Sequence, residues 1–202
     1  MAQITLVLGG VRSGKSRFAQ ELARKISGDD VLFVATAEAG DAEMSRRIQI
    51  HRTSRPAAWS TLEAPHNVGA ILRAQHHNRR QGHTVLIDCL TLLVSNVLLA
   101  CEDQADPAIV EQRLDAEIQG LLSTCELWAG AVIIVSSEVG LGVVPESALG
   151  RQYRDLLGWA NQAVAPRSNT TYLMVAGLPV ELKALADSVE QAAAKLEIHK
   201  QT

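Results

Sequence analysis

Cysteine is scarce. Cys89, Cys101 and Cys125 are odd in number, scattered and free of metal-ligand spacing. That fits buried thiols in a reducing cytosol better than a disulfide framework. An excess of charge of one sign is also missing: 19 Lys and Arg against 22 Asp and Glu leave a net charge of −3. No global basic field invites nucleic acid, so any anion site must be local. Apolar runs of bilayer length are absent too. The most apolar longer stretch, CLTLLVSNVLLA (89–100), is too short to span and carries Thr91, Ser95 and Asn96, which fits a buried core helix. Met1-Ala2-Gln3 runs directly into an apolar strand without a basic n-region, so no secretory signal is expected. Neither repeats nor low-complexity linkers divide the chain. What is there, 202 residues with 47% hydrophobic and 20% charged, suits one soluble domain with a sizeable core.

Apolar runs of strand length alternate with helical patterns. ITLVL (4–8) precedes a helix from about Gly14 to Ile26, and VLFVAT (31–36) one from about Ala42 to His51. TVLID (84–88) leads into helices at 90–100 and 107–124, and AVIIVSS (131–137) into a Gly-rich turn and a helix near 146–165. TYLMVA (171–176) ends at Gly177, and a last helix closes the chain. Continuous β-branched runs indicate strands buried on both faces. Their interleaving with helices predicts an α/β fold of three layers, a mostly parallel central sheet flanked by helices. Ligands of such sheets bind beyond the carboxyl ends of the strands, which directs attention to the loops 9–16, 36–41, 88–91 and 137–145.

The first of these loops is GGVRSGKS, residues 9 to 16, which satisfies G-x-x-x-x-G-K-[ST] between a strand and a helix. Gly9 and Gly14 permit the backbone angles that aim successive N–H groups at phosphate oxygens. The new helix adds its positive end. Lys15 supplies a compact charge for β- and γ-phosphates, and the Ser16 hydroxyl can ligate Mg²⁺. By chance such a match arises in a chain of this length in roughly one case in a hundred. The fold is therefore expected to be that of a P-loop NTPase. Asp88, ending VLID, is the candidate partner acid for Mg²⁺; capping of the helix that follows is the alternative role. No asparagine is followed by Lys, so the N-K-x-D signature of guanine-specific switch proteins is missing. A small-molecule kinase or nucleotidyltransferase fits the size best.

Several segments together resemble one family. They are GGVRSGKSRFAQ (9–20), VATAEAGDAEMSRRIQIHRTSRPAAWSTLE (34–63), VLIDCLTLLVSN (85–96), SEVGLGVVPES (137–147), RQYRDLLGWANQ (151–162) and VAGLPVELK (175–183). In this order they are similar to the bifunctional adenosylcobinamide kinase/adenosylcobinamide-phosphate guanylyltransferases of cobalamin biosynthesis. The resemblance covers residues 1–185 as one domain and leaves 186–202 as a C-terminal helical tail. It implies phosphorylation of adenosylcobinamide with ATP or GTP, then transfer of GMP from GTP through a guanylylated histidine, with release of pyrophosphate. The family's R-I-Q-x-H places that histidine at His51. Ile50 stands where members often have a second histidine, and Ser137 where Asn is common. The resemblance further implies nucleotide contacts from Gly9, Gly10, Val11, Arg12, Ser13, Gly14, Lys15, Ser16, Ala35, Thr36, Ala37, Arg52, Thr53, Ser54, Arg55, Glu63 and Asp88. Glu138 and the Gly140/Gly142 turn would frame the substrate pocket. A homo-oligomer, a trimer, is implied as well.

The residues themselves bear on His51 independently. A histidine attacks phosphorus only as neutral imidazole, and neighbouring Arg47, Arg52 and Arg55 disfavour the imidazolium while neutralising phosphates. Spacing alone favours a solvated histidine on a basic helix face for His51, and the family resemblance reverses that preference; Met44 and Ile48 are core contacts on its stripe. The remaining histidines (66, 76, 77, 83, 199) fall in polar, helix-like or loop stretches. Two other functions stay open on the residues: a small-molecule kinase that never uses His51 covalently, and a nucleotide-dependent regulatory module.

Overall fold

The computed structural model describes residues 2–38, 40, 46, 49, 52–53, 55–76, 83–101 and 106–198. Seven strands form one sheet in the order β3-β2-β4-β5-β1-β6-β7. They are β1 (Gln3–Gly9), β2 (Val31–Ala35), β3 (Ser60–Glu63), β4 (Thr84–Asp88), β5 (Ala131–Val135), β6 (Thr170–Val175) and β7 (Leu178–Glu181). All neighbours run parallel except β7, which returns antiparallel along β6. The helices are α1 (Lys15–Ser27), α2 (Val68–His76), α3 (Leu90–Leu99), α4 (Pro107–Glu126), α5 (Ala148–Val164), α6 (Leu182–Leu185) and α7 (Val189–Ile198).

Alternation along the strands divides the core into two layers. On one face Ile4, Leu6, Leu32, Val34, Val85, Ile87, Val132 and Ile134 pack against α2, α3, α4 and α5. On the other, Val7, Phe33, Leu86, Ile133 and Val135 meet Ala19 and Ala23 of α1 and Trp59. The expected three-layer architecture with a mostly parallel sheet is therefore present. α2 crosses α4 at backbone contact: a Cβ on Gly69 would lie 2.3 Å from the Gly120 carbonyl oxygen. Thr124 seals the crossing by donating to the Gly69 carbonyl, 3.0 Å away.

Two strands lie outside the sequence reading. β3 is STLE, with three of four residues exposed, so it lacks the apolar run that marks a buried strand. β7 stands where only a turn and a helix were expected. Ala176 (φ 51) and Gly177 (φ 84) have left-handed backbones, forming a two-residue hairpin turn of the kind that matches strand twist. Pro179 is tolerated because β7 lies at the sheet edge. His83 is not in a polar surface stretch but buried, its ring edge-on to Trp128 with centroids 4.9 Å apart. The helix expected over 42–51, with Met44 and Ile48, lies largely outside the described residues; Arg46, Gln49, Arg52 and Thr53 are helical, and Thr53 Oγ1 donates back to the Gln49 carbonyl at 3.1 Å.

Candidate active site

Strand register aligns Glu63, Ala35, Asp88, Val135 and Val7 in one row across five neighbouring strands at their carboxyl ends. With strands about 4.8 Å apart, the Asp88 backbone lies roughly 10 Å from Glu63 on one side and from Val7 on the other. Side-chain alternation turns this row toward the α1 face, the face of Phe33, Leu86 and Val135. The phosphate loop leaves β1 just beyond Val7. A loop for phosphates and two carboxylates thus share one rim.

The loop itself is held from three directions. Within it, Ser13 N donates to the Gly10 carbonyl (3.2 Å) and Lys15 Nζ folds over to the same oxygen (3.2 Å). From the loop that follows β5, Glu138 N donates to the Gly9 carbonyl at 3.1 Å. From the β6–β7 turn, Gly177 N donates to the Ser13 carbonyl at 2.9 Å. Left-handed backbone at Arg12 (φ 59) and Gly14 (φ 91) curls the chain into α1. Gly14 caps α1 without a side-chain bond, which leaves the first-turn N–H groups for an anion. Gly10, Val11 and Arg12 are exposed, Ser16 is half-buried, and the Ser13 hydroxyl is buried without a hydrogen-bond partner among the described residues.

Arg55 approaches the row from the chain that leads into β3. Its guanidinium carbon sits 3.5 Å from the centroid of the Phe33 ring, a cation–π contact on the α1 face. Burial pushes its pKa down, opposed by Asp88 and Glu63 while Arg52 reinforces the drop. The group is thus a partly desolvated cation flanked by two carboxylates, and its Nε lacks a partner among the described residues. Such an arginine binds a phosphate more strongly than a fully hydrated one. Arg52 and Thr53 are exposed. Trp59 anchors the same segment, buried, with Nε1 donating to the Gly28 carbonyl at 3.2 Å.

Thr36 has a different place from Ala35 and Ala37. It is fully buried, and its hydroxyl donates to the Cys89 carbonyl (2.7 Å) and accepts from Cys89 N (2.8 Å). Its side chain is thereby committed to joining the ends of β2 and β4. Asn96 of α3 donates to the carbonyls of Thr36 (2.8 Å) and Pro65 (3.0 Å). A second brace holds the exit of β5: Ser137 N donates to Thr91 Oγ1 (2.7 Å), and Asn161 Nδ2 to the Ser137 carbonyl (3.0 Å). Burial first, then the Asp88 charge, pushes the Cys89 thiol up to about 11, although part of the residue stays accessible.

The structure therefore brings together the loop 9–16, Ala35, Arg55, Glu63 and Asp88. His51, Ser54 and Arg47 lie outside the described residues. The Gly140 N–H donates to Glu138 Oε1 at 2.6 Å, so that carboxylate shapes its own turn. Thr91, Asn96 and Asn161, which brace the loops behind the rim, escaped the sequence reading. Their signal was present: an amide inside an apolar helix must find a partner. Were Mg²⁺ bound, the Ser16 hydroxyl and the Asp88 carboxylate would be the donors available to it, hard oxygens that suit an ion bound chiefly through phosphates. Among the described residues no cluster of three His, Cys, Asp or Glu could form an all-protein cage. No described helix is long and apolar enough to cross a membrane.

Comparison with known proteins identifies the family and supports the fold. The family model described as cobinamide kinase / cobinamide phosphate guanyltransferase matches residues 5–182. The bifunctional adenosylcobalamin biosynthesis protein CobP of Pseudomonas aeruginosa is 49% identical over 88% of this chain and 96% of its own. Its counterpart CobU of Escherichia coli K12 is 39% identical over 88% of this chain and 98% of its own. Among solved structures, an ATPase from the type III secretion system of pathogenic bacteria superposes with a TM-score of 0.54 at 11% identity. It spans 96% of this chain and 61% of the other, a likeness of fold alone. With the family model matching nearly end to end and relatives this similar along their whole length, the chain belongs to the cobinamide kinase / cobinamide phosphate guanyltransferase family.

Proposed function

We propose that this chain carries out both reactions of its family on one rim. ATP or GTP first phosphorylates the aminopropanol hydroxyl of adenosylcobinamide. The hydroxyl oxygen bonds to the γ-phosphorus, the β–γ bridge breaks, and the nucleoside diphosphate leaves while the hydroxyl proton is lost. The loop N–H groups from Gly9 to Ser16 orient the phosphates, and Lys15 neutralises charge on the transferring group. Ser16 and Asp88 would hold Mg²⁺, which supplies further charge neutralisation when bound.

In the second reaction a neutral His51 nitrogen bonds to the α-phosphorus of GTP and the α–β bridge breaks, releasing pyrophosphate. A phosphate oxygen of adenosylcobinamide phosphate then attacks that phosphorus, the P–N bond breaks, and His51 is restored. Arg55, with Arg52, Thr53 and Ser54 beside it in sequence, would bind the phosphates of this GTP. Glu63 and the Ala35-Thr36-Ala37 turn would border the nucleotide, Thr36 through its backbone. A homo-oligomer in the cytoplasm goes with this reading, and sedimentation of the purified chain tests its assembly.

The observation that carries the reading is the single row placing Glu63, Asp88 and the start of the phosphate loop on one face, with Arg55 over Phe33. The test is incubation with Mg²⁺ and α-labelled GTP in the absence of corrinoid. An acid-labile, alkali-stable protein label that is lost in His51→Asn is expected. Nucleotide binding without that label leaves a kinase that does not use His51 covalently.

A further inference from the structure

Asn96 of α3 ties together the loops that leave β2 and β3. Asn96 spends both amide hydrogens on loop carbonyls, Thr36 at 2.8 Å and Pro65 at 3.0 Å. Thr36 immediately follows β2, and Pro65 lies two residues beyond β3. These two residues therefore bracket the stretch of chain that contains His51, Arg52 and Arg55. The downstream half of that stretch is fixed to the sheet by Arg55 on Phe33 and to the end of α1 by Trp59 on the Gly28 carbonyl. One side chain, half-buried on α3, thus closes the base of a long excursion between adjacent strands.

The phosphate loop depends on none of this. Its supports come from Glu138 N on the Gly9 carbonyl and Gly177 N on the Ser13 carbonyl. Asp88 pairs with β2 on one side and β5 on the other, and Thr36 is tied to β4 by bonds that do not involve Asn96: its N–H on the Asp88 carbonyl (3.5 Å) and its hydroxyl on the Cys89 backbone. We infer that Asn96 is a positioning residue for guanylyl transfer: it sets the base of the His51-bearing segment while leaving the phosphoryl-transfer half of the rim untouched. Misplacing a nucleophile by about an ångström costs on the order of a hundredfold in rate, so a loosened base registers kinetically before it registers in the fold.

The experiment measures both steps in one preparation of Asn96→Ala. Phosphorylation of adenosylcobinamide by Mg-ATP is followed as kcat, and guanylylation of His51 by α-labelled GTP as a single-turnover rate. Expected is a fall of about tenfold or more in guanylylation, with phosphorylation kcat within about threefold of wild type and the thermal midpoint recorded alongside. Asn96→Ser, which fits the same space and keeps one donor, should fall between the two, and it carries the same comparison should Asn96→Ala not fold. Equal losses in both steps, or no loss in guanylylation, overturn the assignment. The inference rests on the guanylyl-histidine reading, and the outcomes separate the two. A wild-type protein without label at His51 defeats that reading and this inference with it. A labelled wild type matched by an equally labelled Asn96→Ala defeats only the role of Asn96.

Discussion

Gly9 leaves no room for even one methyl group. A Cβ there would stand 2.5 Å from Ser13 Oγ and 2.9 Å from the Met174 carbonyl oxygen. Overpacking of this kind costs about 1–3 kcal/mol, and relief by moving Ser13 would distort the cradle. Gly9→Ala should therefore weaken Mg-ATP binding by about tenfold or more in titration calorimetry; unchanged affinity would show that the cradle tolerates the shift. Arg55 offers a second test at this scale. Lysine keeps the charge but loses the flat face on Phe33 and the forked donors. Arg55→Lys should raise the KM for GTP in guanylyl transfer by about tenfold, with the midpoint of unfolding lowered only slightly, since the stacking contributes about 0.5–2 kcal/mol. Full activity in this variant would mean that charge alone suffices. The loop glycines and the arginine were legible in the sequence as residue types. Their partners were not, because Phe33 and Met174 announce nothing about which neighbour they will meet.

Among elements, the α2–α4 crossing has the least slack. Gly69→Ala would drive a methyl group against the Gly120 carbonyl, 2.3 Å away and part of the backbone. The helices must separate, and a loss of about 2–4 kcal/mol in chemical denaturation is expected; a loss below about 0.5 kcal/mol would show that α2 shifts freely. Glu117 of α4 accepts from the N–H groups of Asn67 (2.9 Å) and Val68 (2.8 Å), so it caps the helix it packs against. The sequence announced α1, β4 and α4 almost to the residue, because β-branched runs and amphipathic spacing are local signals. It was silent on β3 and β7. STLE and LPVE carry too little apolar character, and each becomes a strand only because a neighbour offers an unpaired edge. The braces through Thr36, Asn96 and Asn161 were hidden for a similar reason: their partners are 24 to 60 residues away.

At the scale of the whole molecule, one titration reports on the integrity of the helical layer. Cys125 is fully buried, and burial, with Glu126 adding to it, pushes its thiol from the ordinary 9.0 up to about 12. Its pKa is raised in the folded state, so its contribution is intact below pH 9.0 and is lost as pH climbs from 9.0 toward about 12. Thermal midpoints should therefore fall across that alkaline window and fall less steeply in Cys125→Ala; an equally steep decline in the variant would assign the loss to other groups. The three-layer plan was predictable from the alternation of strands and helices, but the strand order was not, since it is set by contacts distant in sequence. That order has a temporal side. β1 is flanked by β5 and β6, and its loop is tied to Gly177. A growing chain that has already emerged with GGVRSGKS still lacks both neighbours of that strand and the tie on the loop. Nucleotide capture by the loop should therefore wait until synthesis passes Gly177, and tight ATP retention by chains stalled before that residue would show that the loop forms without its neighbours.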